Sequence, residues 1–295
     1  MQPDKRHVNP THLPAKAWVQ YQPLGVVGII TPWNYPLLLA ISPLICALAA
    51  GNRAMLKMSS FTPRTGETLK RALAEAFSED QVAVITGGGI VSDAFSRLPF
   101  NQMTFTGSTN VGRTVMAAAA ENLTPVLLEL GGKSPAIVHD SVPMKDVAER
   151  IALGKGWNAG QTCVAPDYVF LPKGKTLDFV AAMRSAIAKM YPTMLNNPDY
   201  TSIVNNKQYQ RIKGYLDDAI DQGAELFEIN PANESFTNTR KMPVILVSNI
   251  KQTMQIAKNE IFGPVLMVME YDQLEDALSY INQRPSPLAL YYFDY

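Results

Sequence analysis

Apolar and polar residues fall into alternating blocks along this chain, and the blocks predict strands and helices in turn. Val26-Val27-Gly28-Ile29-Ile30 is a short β-branched run of the kind that fills a buried parallel strand, and Thr31-Pro32 closes it with turn chemistry. Before it, Trp18 to Gln22 alternates as a half-exposed strand does, after a polar lead-in from Met1 to Leu13. Leu37 to Ala50 predicts a buried helix capped by Gly51-Asn52, with Cys46 packed in the core. Arg53 to Lys57 predicts a second strand. Thr62-Pro63 then supplies an N-cap and first helical position for a helix from Arg64 to Phe77. Gln81 to Thr86, a Gly87-Gly88-Gly89 turn and Ile90 to Leu98 repeat the unit. Gln102 to Thr106, a turn from Gly107 to Gly112 and an alanine-rich helix from Arg113 to Glu121 repeat it again. Such alternation argues for right-handed βαβ units around a parallel sheet, an α/β fold.

The second half continues the pattern less regularly. Val126 to Leu130 is apolar except for Glu129, and an acid in such a run is either paired or functional, since burying an unpaired carboxylate raises its pKa. Gly131 to Pro135 breaks the strand, and the domain boundary falls in that glycine turn. Ala136-Ile137-Val138 is extended, and a helix runs from Met144 toward Gly156. Asp167 to Leu171, Pro243 to Val247 and Val265 to Met269 read as strands. Thr176 to Met190, Asn205 to Gly223 and Lys251 to Lys258 read as helices, and Asn230 to Thr239 as a polar loop. A rigid turn, Glu260-Ile261-Phe262-Gly263-Pro264, precedes the last of those strands.

Length and charge narrow the classes of function. At 295 residues, roughly two domains are expected. Lys plus Arg and Asp plus Glu number 26 each, so no general field draws the chain to nucleic acid or to an anionic membrane. The N-terminus lacks the apolar core of a signal peptide, and no apolar run reaches the roughly 20 residues of a membrane span, so a reducing cytoplasm is expected. The chemistry then centres on Cys163. Its neighbours Gly160, Gln161 and Thr162 make a polar, flexible approach in which a thiolate becomes reactive. Trp33, Asn34 and Tyr35 lie just past a strand's C-terminal end, where open α/β sheets bind ligands. The Gly107-Ser108 turn opening a helix suits a phosphate, although its spacing is not G-x-G-x-x-G, and a plain strand-to-helix turn is the alternative.

Several motifs taken together resemble one family: Pro32-Trp33-Asn34, Lys57 after a strand, Phe105-Thr106-Gly107-Ser108, Glu129-Leu130-Gly131-Gly132-Lys133, Gly160-Gln161-Thr162-Cys163 and Glu260-Ile261-Phe262-Gly263-Pro264. In order and spacing they resemble the aldehyde dehydrogenase superfamily. Asn34-Tyr35-Pro36 and the run Gln161 to Tyr168 look like its class 3 branch, and the tail Pro287 to Phe293 resembles bacterial members that act on coniferyl aldehyde.

The resemblance implies a Rossmann-like dinucleotide-binding domain at 24–130 and an α/β catalytic domain at 131–295. Residues 1–23 become a lead-in with one strand of a small bridging sheet. It further implies that similar proteins continue beyond both ends of this chain, leaving the fold incomplete there. Cys163 becomes the nucleophile, Asn34 an oxyanion donor and Glu129 the general base. Trp33, Lys57, Ser60, Gly107, Ser108, Glu260 and Phe262 become cofactor-binding positions for NAD or NADP. No metal is implied, the substrate is a small, aromatic aldehyde, and the full-length protein is a homodimer.

Ser60 departs from the family pattern, in which many NAD-preferring relatives carry an acid three residues after the lysine. Without that charge a 2′-phosphate is not repelled, so NADP is expected to be accepted alongside NAD. Several bland roles stay open at these positions: Asn34 as a turn cap, Lys57 as a solvated surface charge, Phe262 as ordinary core and Glu129 in an ion pair with Lys133. Two other functions stay open as well, a hydrolase or acyltransferase using Cys163 with His139, and a nucleotide-binding fragment without turnover.

Overall fold

The computed structural model describes residues 2–295; Met1, the first residue of the expected lead-in, lies outside them. The chain forms two compact units, Met1–Glu129 and Leu130–Tyr295. In the first, β1 (Asp4–Arg6) and β2 (Ala17–Val19) make an antiparallel ribbon with Lys5 opposite Trp18. The expected strand Trp18–Gln22 is thus shorter and starts earlier. Its partner Asp4-Lys5-Arg6 was invisible as a strand because an all-polar triplet carries no apolar signal.

The body of this unit runs β3 (Val26–Ile30), α1 (Leu38–Ala49), β4 (Arg53–Lys57), α2 (Pro63–Ala76), β5 (Val82–Ile85), α3 (Gly89–Ser96), β6 (Gln102–Gly107), α4 (Thr109–Ala120) and β7 (Val126–Leu130). The sheet order is β5-β4-β3-β6-β7, and the pairs β5-β4, β4-β3 and β3-β6 are parallel. Val27, Ile29, Leu56, Val82 and Val84 meet Ala40, Leu44 and Leu69 of the helices in one core. Burying side chains of this size contributes about 1.5–3 kcal/mol each.

Three expectations are corrected here. Helix α1 buries only one side: Ala40, Leu44 and Ala47 face the core, while Leu38, Ile45 and Cys46 are exposed, so Cys46 is not a core residue. Helix α4 begins at Thr109 with Ser108 as its N-cap, so there is no six-residue turn before it. The third concerns β7, an edge strand whose Leu127 and Glu129 are exposed; the apolar run around Glu129 does not desolvate it.

The second unit carries β8 (Pro135–Val138), α5 (Met144–Gly156), β9 (Tyr168–Pro172), α6 (Thr176–Met190), α7 (Asn206–Asp221), β10 (Glu225–Ile229), β11 (Val244–Ser248), α8 (Gln255–Lys258), β12 (Val265–Tyr271), α9 (Leu274–Asn282) and β13 (Tyr291–Phe293). They order as β10-β11-β12-β9-β8-β13, with only β10-β11 antiparallel. Because alternate strand residues point to opposite faces, the sheet supports two cores. Val169, Leu171, Leu246 and Leu266 pack with Ile151, Phe179 and Ile187 on one side. Tyr168, Phe170, Ile245, Val247 and Met267 pack with Ile212 and Leu216 on the other. No helix among the described residues is long and apolar enough to cross a membrane.

Candidate active site

Cys163 follows α5 by way of a tight left-handed corner. Asn158 (φ 51°), Ala159 (φ 51°) and Gly160 (φ 68°) take positive φ in succession. That conformation costs an ordinary residue about 1–2 kcal/mol, so surrounding structure must hold it. Gln161 does much of the holding. Its side chain is 2% exposed, its Nε2 donates to Asn158 O (2.9 Å) and Ser202 O (3.1 Å), and its Oε1 accepts from the Val204 amide (2.9 Å). Gly160 lies so close to Gly263 that a Cβ there would stand 2.3 Å from the Gly263 carbonyl oxygen. Lys155, wholly buried on α5, donates to that same oxygen at 3.1 Å. Burial lowers the Lys155 pKa to about 8, against the opposing pull of Asp167. On the far side, the Tyr291 hydroxyl donates to Val164 O at 2.5 Å. The thiol of Cys163 is left half-buried. The approach expected to be flexible is therefore braced, and Trp157 at its start is 61% exposed.

The Glu260 turn packs against the same corner. Glu260 accepts from the Gly132 amide at 3.1 Å, and a Cβ on Gly131 would stand 2.3 Å from its carboxylate oxygen, which is why the chain passes the carboxylate as Gly131-Gly132. Burial, which outweighs the Gly132 hydrogen bond, raises the Glu260 pKa from near 4.5 to about 7. Phe262 next to it takes φ 49° and is half-buried, so it is a turn residue rather than ordinary core. Lys133 pairs with Asp167, not with Glu129, and also donates to Ile256 O (2.9 Å) and Asn259 O (2.9 Å). Asp167 Oδ1 accepts from the Ile261 amide at 2.9 Å.

A raised carboxylate pKa makes stability pH-dependent. The folded chain binds this proton more tightly than the unfolded chain, so the contribution of Glu260 is fully present below pH 4.5 and is lost as pH rises through about 7. Glu260→Gln is therefore expected to leave Tm near the parent's at about pH 4.5. Above about pH 8 it should raise stability, by an amount on the order of 3 kcal/mol at most. Thermal unfolding at both pH values checks this, and an equal change at both would contradict it.

In the first unit, the remaining positions gather at the C-terminal ends of parallel strands. Lys57 ends β4 and is 2% exposed, its ammonium donating to Met58 O and Gly87 O, both at 2.7 Å. It is not a solvated surface charge, and burial lowers its pKa. Trp33 and Asn34 follow β3, and the Trp33 ring lies 6.4 Å from Phe61 just beyond Ser60, which is exposed. Gly107 ends β6 beneath the Phe105 ring, where a Cβ would meet carbon at 2.6 Å, and Ser108 makes no side-chain cap of α4. The first-turn amides of α4, with a buried ammonium two strands away, are the donor set a pyrophosphate and a ribose need.

His139, the alternative base, is engaged elsewhere. Its Nδ1 lies 2.9 Å from Ser141 Oγ and 3.2 Å from Asp294 at the end of β8. Sequence reasoning also missed Lys155, Gln161, Asp167 and Arg211 as the frame of the site. Gln161 is visible inside the Gly160–Cys163 motif, though as a flexible polar neighbour and not as a brace, and Lys155 leaves a signal in sharing a helical stripe with the apolar Ile151 and Ala152.

Residues 3–293 match the aldehyde dehydrogenase family, and the chain belongs to that family. It is 57% identical over 295 residues to the probable coniferyl aldehyde dehydrogenase of Pseudomonas aeruginosa, covering 100% of this chain and 61% of that protein. The substrate-bound state of Staphylococcus aureus AldH superposes with a TM-score of 0.92 at 38% identity, covering 99% of this chain and 63% of that one. An aldehyde dehydrogenase of Mycobacterium tuberculosis complexed with NAD+ gives 0.83 at 33% identity, covering 94% and 58%. The chain thus spans about three-fifths of the length of these relatives.

Proposed function

We propose that this chain carries the cysteine and cofactor machinery of an NAD(P)-dependent aldehyde dehydrogenase acting on an aromatic, coniferyl-like aldehyde. The first unit is its dinucleotide-binding domain and the second its catalytic domain. The whole protein is a cytoplasmic homodimer. The observation that carries the reading is the half-buried thiol of Cys163 on a strained corner locked, through Gly160, Gly263 and Lys155, to the turn that bears Glu260.

Cys163 adds as the thiolate to the aldehyde carbonyl, forming the S–C bond of a thiohemiacetal while the C=O π bond breaks and its electron pair makes the carbonyl oxygen negative. Asn34 and the Cys163 amide stabilise that oxygen; one such donor is worth about 2.7–4 kcal/mol. When bound, NAD or NADP supplies the hydride acceptor that turns the adduct into a thioester. Glu129 then takes a proton from water, which attacks the thioester; the S–C bond breaks and the acid leaves. Glu129 is exposed, so this role rests on the family resemblance of its motif and not on a desolvated carboxylate. Trp33, Phe262 and Glu260 hold the nicotinamide half, Lys57 and Ser60 the adenosine ribose, and Gly107 with Ser108 the pyrophosphate. The substrate class is supported by the Pseudomonas aeruginosa relative. Aldehyde-dependent growth of NAD(P)H absorbance, compared across coniferyl, other aromatic and aliphatic aldehydes, tests the reading. Absence of turnover with every aldehyde would sink it.

Ser60 sets a second expectation. With no acid there, kcat/KM for NADP should be comparable to that for NAD, and Ser60→Glu should depress NADP alone by about tenfold or more through like-charge repulsion. An NADP value about a hundredfold below NAD in the parent chain would refute this.

A further inference from the structure

We propose that Arg211, on α7, is a positioning residue that presets the Glu260 carboxylate for the cofactor, an inference that rests on the cofactor reading above. The Glu260 turn is gripped through its backbone by side chains from separate elements. Lys133 holds the carbonyls of Ile256 and Asn259 on the entering side, and Asp167 holds the Ile261 amide. Arg211 holds the centre: its guanidinium donates to Glu260 O at 3.1 Å and to Ile261 O at 2.7 Å.

The guanidinium is itself fixed before it reaches the turn. Its Nε donates to Gln208 Oε1 one helical turn earlier, at 2.7 Å, and its Cζ lies 5.1 Å from the centre of the Tyr215 ring one turn later. A planar fork with two parallel donors reads two successive carbonyls in one orientation, which a single ammonium cannot do. Two carbonyls pointing the same way fix the peptide between Glu260 and Ile261. That peptide sets the direction in which the Glu260 side chain leaves the backbone. Just beyond it Phe262 takes φ 49°, so the turn is strained and needs such a restraint. Arg211 is also the cation approaching Glu260 from α7, while Lys133 and Asp167 face it from the glycine turn and from the start of β9.

Titrating NAD and ADP into the full chain tests this, because ADP occupies only the adenosine half of the site. The variants are Arg211→Met, Arg211→Lys, Glu260→Gln and the double variant Arg211→Met/Glu260→Gln. Arg211→Met is expected to weaken NAD binding about tenfold, the scale of losing two hydrogen bonds from a charged donor, and to leave ADP binding unchanged. Arg211→Lys should recover part of the loss. On the Glu260→Gln background, Arg211→Met should add nothing, since the residue it positions is gone. Alkylation of Cys163 by iodoacetamide at the parental rate in each variant establishes that the fold and cysteine corner stand. Parental NAD affinity in Arg211→Met, an equal weakening of ADP, or an undiminished effect on the Glu260→Gln background would each overturn the proposal while leaving the cofactor site intact. A parent chain that binds ADP and NAD not at all would overturn the cofactor reading, and this inference with it.

Discussion

Cys163→Ala is expected to remove aldehyde-dependent NAD(P)H formation, with kcat falling at least about 10⁴-fold, while NAD binding and Tm stay at parental values. The size follows from the role: a nucleophile that forms the covalent intermediate has no substitute in an alanine, and removal of such a group elsewhere costs about 10⁶ in rate. The silence of the other two readouts follows from the geometry. Gln161 and Lys155 hold the corner through backbone carbonyls and an amide, Gly160 packs on Gly263, and the cysteine side chain is only half-buried. Losing one sulfur there therefore costs little stability. The same assay separates the competing chemistry. A hydrolase pairing Cys163 with His139 predicts an equal loss in His139→Ala. Because His139 is engaged with Ser141 and Asp294, that variant is expected to keep parental turnover. Turnover surviving in Cys163→Ala would end the thiohemiacetal mechanism.

The strands that pack on both faces were the legible part of this fold. Val26 to Ile30 and Val265 to Met269 are buried nearly throughout, so their apolar runs are visible without any partner in view. What escaped were elements whose sequence says little locally. Glu225–Ile229 pairs at a sheet edge with two acids among five residues, and Tyr291–Phe293 is a three-residue edge strand. Leu274–Asn282 was readable in principle, since Gln273 and Asp276 form a capping box before an apolar stripe. Leu37 to Ala50 and Val126 to Leu130 erred the other way. Their apolar residues suggested full burial, yet Leu38, Ile45, Cys46 and Leu127 are exposed, because hydrophobicity reports a tendency to be covered and not what covers it.

In the site, the residues proposed to touch substrate or cofactor were visible as motifs, whereas the bracing contacts that hold them were not, even for Gln161 and Lys133, which lie inside those motifs. Gln161 braces Ser202 and Val204, Lys155 reaches Gly263, and Arg211 reaches Glu260 and Ile261, all across long separations in sequence. No local pattern records such pairings. Only the fold, by stacking β9 beside β12 and α7 over their shared face, brings these partners within reach.

That framing role predicts the second large effect, at Gly160. Gly160→Ala is expected to lower stability by about 3 kcal/mol or more and to cut kcat about a hundredfold in whatever fraction stays folded. Two costs add. At φ 68° a Cβ pays the left-handed penalty of about 1–2 kcal/mol. It would also stand 2.3 Å from the Gly263 oxygen and 2.8 Å from its carbon, both backbone atoms, so relief requires moving one chain segment off the other at an overpacking cost of about 1–3 kcal/mol. Any such movement stretches the 3.1 Å bond from Lys155 to Gly263 and shifts Cys163 relative to Glu260, and a displacement near 1 Å costs about 10²-fold in rate. Gly214→Ala is the matching control: it lies on α7, nothing stands within 4 Å of its would-be Cβ, and helix propensity alone favours alanine by about 1 kcal/mol. Thermal unfolding and steady-state rates on the pair decide the matter. If Gly160→Ala melts and turns over like the parent, or loses no more than Gly214→Ala, the close approach of Gly160 to Gly263 is not what holds the cysteine in place.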